Sequence, residues 1–95
     1  MGYGIFQDGF QNEPMPNPIH DTKCKIFRQM LIDARQHKGL LQSDVAEKLG
    51  KPQSFISKYE RGERRIDFPE FLEIAQALDI DVVAFIGAFR DAIKP

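Results

Sequence analysis

The sequence contains little of what several classes of protein require. Cys24 is its one cysteine, so the chain cannot form an internal disulfide, which agrees with a reducing compartment. No apolar run approaches the roughly 18 residues of a membrane-spanning helix. The N-terminus also lacks the basic-then-apolar order of a secretory signal. We therefore expect a cytoplasmic protein without a membrane anchor.

Candidates for catalysis or metal binding are equally scarce. The chain has no glycine-rich phosphate loop, no nucleophile with a suitable base and no pair of carboxylates enclosed by apolar residues. His20 and Cys24 are spaced so that two metal ligands would share one helical face, but no second pair accompanies them and His37 stands apart. Unrelated surface residues explain this pair more simply. We expect neither an enzyme nor a cofactor.

The chain is long enough for one small domain, and its charge is unevenly distributed along the sequence. The sequence has 95 residues and a net charge of −1, with an ordinary apolar fraction of 42%. Residues 23–65 carry eleven Lys or Arg against five acids, whereas residues 66–95 carry two against six. This division is expected if one face met phosphates, although a chance distribution of solvated charges would also give it.

Apolar residues recur at helical spacing, and no segment alternates like a strand. Residues 1–20 contain three prolines spaced two apart, and we interpret them as an extended or mobile arm. Five helices are predicted in residues 21–95, beginning near residues 21, 42, 52, 67 and 81. Asp67 and Glu70 form a capping-box pattern at the fourth start. On that helix we expect the core to include Phe71, Leu72, Ala75 and Leu78.

The third predicted helix, residues 52–61, has few apolar residues. Because only a short turn around Gly50 separates it from the second helix, the two must cross steeply. Ile56 and Tyr59 then face the core, while Phe55 either packs beside Tyr59 or touches a thymine methyl, with partial burial favoured. The outward face consists of Gln53, Ser54, Ser57 and Lys58. Short polar side chains of this kind suit base edges in a major groove about 12 Å wide.

The run LLQSDVAEKLGKPQSFISKYERGERRIDFPEFLEIAQALDID resembles the helix-turn-helix domain of the lambda-repressor and Cro superfamily, also called the xenobiotic response element family. The shared features are a glutamine opening helix two, VAEKLG with small Ala46, Gly50 in the turn, Ile56, and the YERG ending. The resemblance covers roughly residues 22–86. It implies an all-α, five-helix DNA-binding domain. It also implies a bacterial or phage transcriptional regulator, with repression favoured, bound as a homodimer to a near-palindromic operator of double-stranded DNA.

The resemblance further implies roles for single residues. Positions that read bases in the family correspond to Gln53, Ser54, Ser57 and Lys58. Positions that contact phosphates correspond to Gln42, Arg61, Arg64 and Arg65. Arg35 and Glu60 correspond to an internal salt bridge between helices one and three. The sequence departs from the family at Leu41, where a capping threonine, serine or asparagine is usual, and Ser43 or a shifted helix start could compensate.

The last helix carries an apolar stripe that exceeds the needs of one small core. The stripe consists of Val82, Phe85, Ile86, Phe89 and Ile93. We expect its exposed part to pair with a second copy, the alternative being a helix that only closes the monomer core. A rival function is that of an antitoxin or co-regulator, which would use the same fold mainly to bind a protein through the last helix or the N-terminal arm.

Overall fold

The computed structural model describes residues 18–95, with side chains from residue 22, and this part of the chain is all-helical. Its helices are α1 (Pro18–His37), α2 (Gln42–Leu49), α3 (Gln53–Arg61), α4 (Phe68–Ala77) and α5 (Val82–Ala92). The predicted five-helix, all-α class is therefore confirmed. None of these helices is long and apolar enough to cross a membrane. Residues 1–17 of the predicted arm lie outside the described residues.

Helix α1 begins at Pro18, earlier than the predicted start at Asp21 or Thr22. Three closely spaced prolines favour an arm that extends to residue 20. A proline is nevertheless well suited to the first helical position, since its fixed φ is helical and the amide hydrogen it lacks would have no partner there. The last of the three prolines therefore starts a helix.

Carboxylates stabilise the starts of α2 and α4. Leu41 precedes α2 and has no capping side chain, but its amide donates to Asp44 Oδ2 at 2.7 Å. Asp44, and not Ser43, thus replaces part of the missing cap. At α4, the Glu70 amide donates to Asp67 Oδ1 at 2.8 Å and the Asp67 amide donates to Glu70 Oε1 at 3.0 Å. The predicted capping box is confirmed.

The core lies where the helices converge, and α4 contributes the largest share of it. The buried apolar residues are Leu31, Val45, Ala46, Ile56, Tyr59, Phe71, Ile74, Ala75, Leu78 and Phe85. On α4 the prediction was wrong for Leu72, which is 41% exposed, and it omitted Ile74, which is 1% exposed. The buried positions 71, 74, 75 and 78 follow the i, i+3, i+4, i+7 pattern of one helical face, and position 72 falls outside it.

An aromatic cluster joins α1, α4 and α5. The Phe27 ring lies 5.5 Å from that of Phe71, 6.0 Å from that of Phe85 and 5.9 Å from that of Phe89, measured between centroids. Phe85 was predicted to lie at a dimer interface. Because it packs against Phe27 and Phe71 and is only 9% exposed, its ring belongs to the monomer core and is not available to a partner.

Glycines set the ends of α2 and α3. Gly50 ends α2 with φ 67°, a left-handed conformation that glycine adopts without a steric penalty, and the chain turns directly into α3. Gly62 ends α3 with φ 82°, and a Cβ at this position would lie 2.7 Å from Arg28 Cζ. The second glycine therefore permits the turn, and the Arg28 guanidinium lies against it.

Candidate nucleic-acid interface

The outward face of α3 carries the four side chains that were predicted to read bases. Gln53, Ser54 and Lys58 are exposed, and Ser57 is half-buried. The Ser57 hydroxyl donates to the Ser54 carbonyl oxygen at 3.3 Å. Ile56 and Tyr59, on the opposite face, are buried. The helix is thus anchored by one face and presents a polar surface on the other.

A largely enclosed ion pair, between residues that are each half-buried as a whole, joins the end of α3 to the end of α1. Arg35 donates through Nε to Glu60 Oε2 at 2.7 Å and through Nη2 to Glu60 Oε1 at 3.1 Å. The side chains are 11% and 6% exposed, respectively. Arg35 Nη1 also donates to the Leu40 carbonyl oxygen at 2.8 Å. The arginine predicted to be structural is fully engaged inside the protein.

Gln42 connects this ion pair to the beginning of α3. Its Nε2 donates to Glu60 Oε1 at 2.9 Å. Its Oε1 lies 3.5 Å from Gln53 Nε2, a long hydrogen bond between exposed side chains. The first residue of α2 therefore braces the first residue of α3.

The three arginines that follow α3 have different environments. Arg61 forms two hydrogen bonds with Glu63, at 2.8 and 3.0 Å. Arg64 forms two with Glu70, at 3.0 and 2.7 Å. Arg65 is exposed and forms no ion pair with the side chains of residues 22–95. Of the three arginines predicted to contact phosphates, Arg65 alone presents a charge that is uncompensated within these residues.

These hydrogen bonds also affect the acids that accept them. The Arg61 side chain lowers the pKa of the Glu63 carboxyl. The Arg64 side chain lowers the pKa of the Glu70 carboxyl, and the hydrogen bond from the Asp67 backbone lowers it further. Neither Glu63 nor Glu70 was predicted as a partner of Arg61 or Arg64. The spacing of Arg61 and Glu63 offered a local signal, whereas the contact between Arg64 and Glu70 depends on how the loop folds back onto α4.

Phe55 is half-buried at the edge of the polar face, in agreement with the favoured interpretation. Its ring lies edge-on to that of Tyr59, with centroids 5.7 Å apart. Arg64 Cζ lies 4.7 Å from the Phe55 centroid, and Lys51 Nζ lies 5.0 Å from it. The ring thus contacts two cations close to the start of α3.

Apolar surface remains exposed on α4 and α5. Ile86, from the predicted stripe, is 39% exposed, while Val82, Phe89 and Ile93 are half-buried. Val83, which the prediction omitted, is 82% exposed. Phe68 is 61% exposed and, together with Ile86, lines an apolar cavity of about 380 Å³ between α1, α4 and α5. Ile86 is therefore the exposed member of the predicted stripe, and Val83 adds to the exposed apolar surface of α5.

Metal ligands do not converge in the described part of the chain. Among residues 22–95, no three His, Cys, Asp or Glu side chains lie close enough together to hold a metal ion, and the side chain of His20 lies outside this range. Cys24 is a free, half-buried thiol on α1. The polar face of α3, with its exposed donors and acceptors, is the candidate functional site.

A family model described as helix-turn-helix matches residues 31–85, which include α2, α3 and the turn between them. The chain belongs to the helix-turn-helix family. An XRE-family like protein from Pseudomonas syringae pv. tomato str. DC3000 is among the solved structures that match this helix-turn-helix protein. The resemblance to the xenobiotic response element family is therefore confirmed. That structure is 35% identical in sequence with a TM-score of 0.75, and the alignment covers 81% of this chain and 93% of that one.

Restriction-modification controller proteins are also similar. C.AhdI from Aeromonas hydrophila is 33% identical with a TM-score of 0.61, over 67% of this chain and 97% of that one. The C.Esp1396I controller, solved as a tetramer in complex with its natural 35 base-pair operator, is 24% identical with a TM-score of 0.68, over 75% of this chain and 93% of that one. The latter likeness shows the fold alone. No protein of curated function matches the sequence.

Proposed function

We propose that this helix-turn-helix protein is a transcriptional regulator, with repression favoured, that binds specific sequences of double-stranded DNA through α3. Four polar side chains on the exposed face of α3 carry the proposal, since their donors and acceptors suit base edges. Gln53, Ser54, Ser57 and Lys58 are the proposed base contacts. Burial of Ile56 and Tyr59 turns this face outward, and Gln42 contacts Gln53 at the start of the helix.

Phosphate contacts come from the residues that flank α3. Arg65 is the foremost candidate, because it is exposed and has no carboxylate partner in the described chain. Gln42, at the start of α2, and Arg61, at the end of α3, are further candidates, although Arg61 would have to leave Glu63. Contacts of this kind fix the orientation of a protein on the duplex without reading its sequence.

The proposed assembly is a homodimer on a near-palindromic operator. A two-fold axis between subunits repeats the recognition helix, and a pair of half-sites repeats the DNA sequence in the same way. C.Esp1396I, which has the same fold, was solved as a tetramer in complex with its operator. We further propose a cytoplasmic location, as befits a regulator of bacterial or phage genes, and no enzymatic activity.

Two substitutions test the function by separating base reading from phosphate contact. Gln53→Ala should weaken binding to the best site, selected from random DNA, by about 1–3 kcal/mol, chiefly at one base position. Arg65→Ala should weaken binding to all sequences alike and lower the slope of log affinity against log salt by about one unit. Affinities are measured by fluorescence anisotropy over a range of salt concentrations.

Lys94→Ala is the matched control, because it also removes one positive charge but lies at the C-terminal end, beside Asp91. It should leave both the affinity and the salt slope close to those of the parent. If Gln53→Ala and Arg65→Ala likewise leave DNA affinity unchanged, the helix-turn-helix does not read DNA, and an antitoxin or co-regulator that binds a protein becomes the better interpretation.

A further inference from the structure

Four side chains meet beside the recognition helix, and we call them the Phe55 cluster: Lys51, Phe55, Arg64 and Glu70. Lys51 comes from the turn before α3, Phe55 from α3, Arg64 from the loop after it, and Glu70 from the first turn of α4. Both cations lie within 5.0 Å of the centre of the Phe55 ring. The cluster therefore joins the start of α3 to the start of α4.

Arg64 is held on several sides within this cluster. Its Nη1 donates to Glu70 Oε1 at 3.0 Å and to the Arg65 carbonyl oxygen at 2.7 Å, and its Nη2 donates to Glu70 Oε2 at 2.7 Å. A two-point pairing of guanidinium and carboxylate fixes the plane of the arginine as well as its position. The positive charge is compensated at the same time, so Arg64 differs from the unpaired Arg65.

Glu70 connects the arginine to the framework of the domain. Its Oε1 accepts from Arg64 and also from the Asp67 amide, at 3.0 Å in each case. The same carboxylate is thus a member of the α4 capping box and the anchor of Arg64. The Arg64 side chain, which lies over Phe55, is in this way tied to the backbone of α4. Hydrogen bonds from Arg64 and Asp67 lower the pKa of Glu70, and the charge of Lys51 adds to the effect, which keeps the carboxylate ionised.

We propose that Arg64 is a positioning residue that, anchored by Glu70, fixes Phe55 and hence the base-reading face of α3, and that it does not neutralise a phosphate. The inference rests on the proposed function and departs from the phosphate role that the family resemblance gave to Arg64. Phe55 lies between the base-reading positions 54 and 57 in the chain. Its ring packs edge-on against the buried Tyr59 and under Arg64, so these contacts help to fix how α3 is seated and hence where the proposed base-reading side chains lie.

The experiment compares Arg64→Ala with Arg65→Ala on the selected best site and on unrelated DNA of equal length. Arg64→Ala should lower the ratio of specific to non-specific affinity by about fivefold or more, which corresponds to a weakened base contact. Its salt slope should stay within about half a unit of the parent slope. Arg65→Ala should lower the slope by about one unit and leave the ratio unchanged.

Two conservative variants distinguish positioning from a general loss of structure. Glu70→Gln retains an oxygen that can accept from the Asp67 amide, but it loses the ionic anchor of Arg64. It should lower the specificity ratio as Arg64→Ala does, without lowering the salt slope. Arg64→Lys retains the charge but cannot pair at two points, so it should also lower the ratio. Thermal melting identifies variants that do not fold. Only the DNA affinities of the folded variants are used to test whether Arg64 is a positioning residue.

The opposite results would overturn the inference. A phosphate ligand at position 64 predicts that Arg64→Ala behaves like Arg65→Ala, that Arg64→Lys binds like the parent, and that Glu70→Gln binds all DNA more tightly. If the variants behave in this way while the parent protein still discriminates between DNA sites, Arg64 has no positioning role, but the proposed function stands. A parent protein with equal affinity for all DNA overturns the proposed function itself, and the positioning role with it.

Discussion

At the scale of single residues, the ion pair of Arg35 and Glu60 has the greatest consequence for stability. Both side chains are nearly enclosed, at 11% and 6% exposure, and three hydrogen bonds hold Arg35 in place. Arg35→Ala would leave the Glu60 charge with the Gln42 amide as its remaining hydrogen-bond donor. We expect the free energy of unfolding to fall by about 3–5 kcal/mol. Urea denaturation measures this loss.

Arg65→Ala is the control for this experiment, since it removes an exposed arginine that has no ion pair in the described chain. Its free energy of unfolding should stay within about 0.5 kcal/mol of the parent value. If the urea midpoint of Arg35→Ala is unchanged, water can solvate Glu60 in place of Arg35, and the ion pair does not stabilise the folded state.

Because the phenol of Tyr59 is buried, we expect the protein to lose stability at alkaline pH. Burial raises the pKa of its phenol above the ordinary value of 10.0, and the neighbouring Glu60 charge raises it further. Because the unfolded chain ionises first, this contribution to stability is complete below about pH 10 and decreases as the pH rises above it, by up to about 1.4 kcal/mol per pH unit. Urea denaturation near pH 9 and pH 11 should show the decrease.

Tyr59→Phe isolates the contribution of Tyr59 from those of lysines that titrate in the same range. The variant removes the phenol and keeps the ring, so its stability should depend less steeply on alkaline pH than that of the parent. Equal pH dependence in the two proteins would show that Tyr59 ionises as readily in the folded state as in the unfolded state.

The residues of the site differed in how well the sequence could place them. Gln53, Ser54, Ser57 and Lys58 share a face because of helical spacing, which is visible in any sequence once the helix is assigned. The partners of the loop arginines are set by the path of the chain after Gly62. That path brings Arg64 onto Glu70, six residues away, and no periodic pattern encodes such a contact. The sequence therefore indicated the recognition surface and overlooked what anchors its edge.

At the scale of helices, the start of α2 lacks a side-chain cap, and adding one should stabilise the protein. Leu41 occupies the capping position with 65% of its surface exposed, and its side chain cannot accept a hydrogen bond. Leu41→Ser would place a hydroxyl near the Asp44 amide and complete a reciprocal cap with the existing bond from Leu41 N to Asp44 Oδ2. We expect a gain of about 0.5–1 kcal/mol in the free energy of unfolding, measured with urea.

Ser43→Ala is the control at α2, since this side chain has no capping role in the structure and its loss should change stability little. If Leu41→Ser is no more stable than the parent, the exposed leucine stabilises the folded state by a contact that offsets its missing cap. Asp44→Ala should be destabilising in either case, because it removes the acceptor for the Leu41 amide.

Helix assignment from sequence succeeded where local chemistry agrees with packing. The second and fourth helix starts were predicted at their observed positions, because a glutamine after a short turn and a capping box are local signals. The start of α1 and the inward face of α4 were less well predicted. A proline can end an arm or begin a helix. Leu72 and Ile74 lie two residues apart, and which of them faces the core cannot be assigned until the helix phase is known.

At the scale of the whole molecule, charge and apolar surface are separated along the chain. The basic segment, residues 23–65, contains α2 and α3, whereas the acidic segment, residues 66–95, contains α4 and α5. Four large apolar residues that are exposed, Phe68, Leu72, Val83 and Ile86, belong to the acidic segment, whereas the exposed Leu41 belongs to the basic one. The proposed DNA contacts and the proposed self-association surface therefore lie in different parts of the domain, so that one can be altered without direct damage to the other.

The dimer is the prediction that tests this separation. Ile86→Asp should yield a monomer at tens of micromolar by sedimentation equilibrium, because it places a charge in the proposed interface while α5 remains anchored by Phe85. Operator affinity should fall by about a hundredfold, since the second half-site is no longer bound intramolecularly. Ala84→Asp, exposed on another side of α5, is the control and should remain dimeric. A parent protein that is monomeric both alone and on DNA would contradict the dimer, whereas a confirmed dimer should place its recognition helices about 34 Å apart, one turn of the duplex.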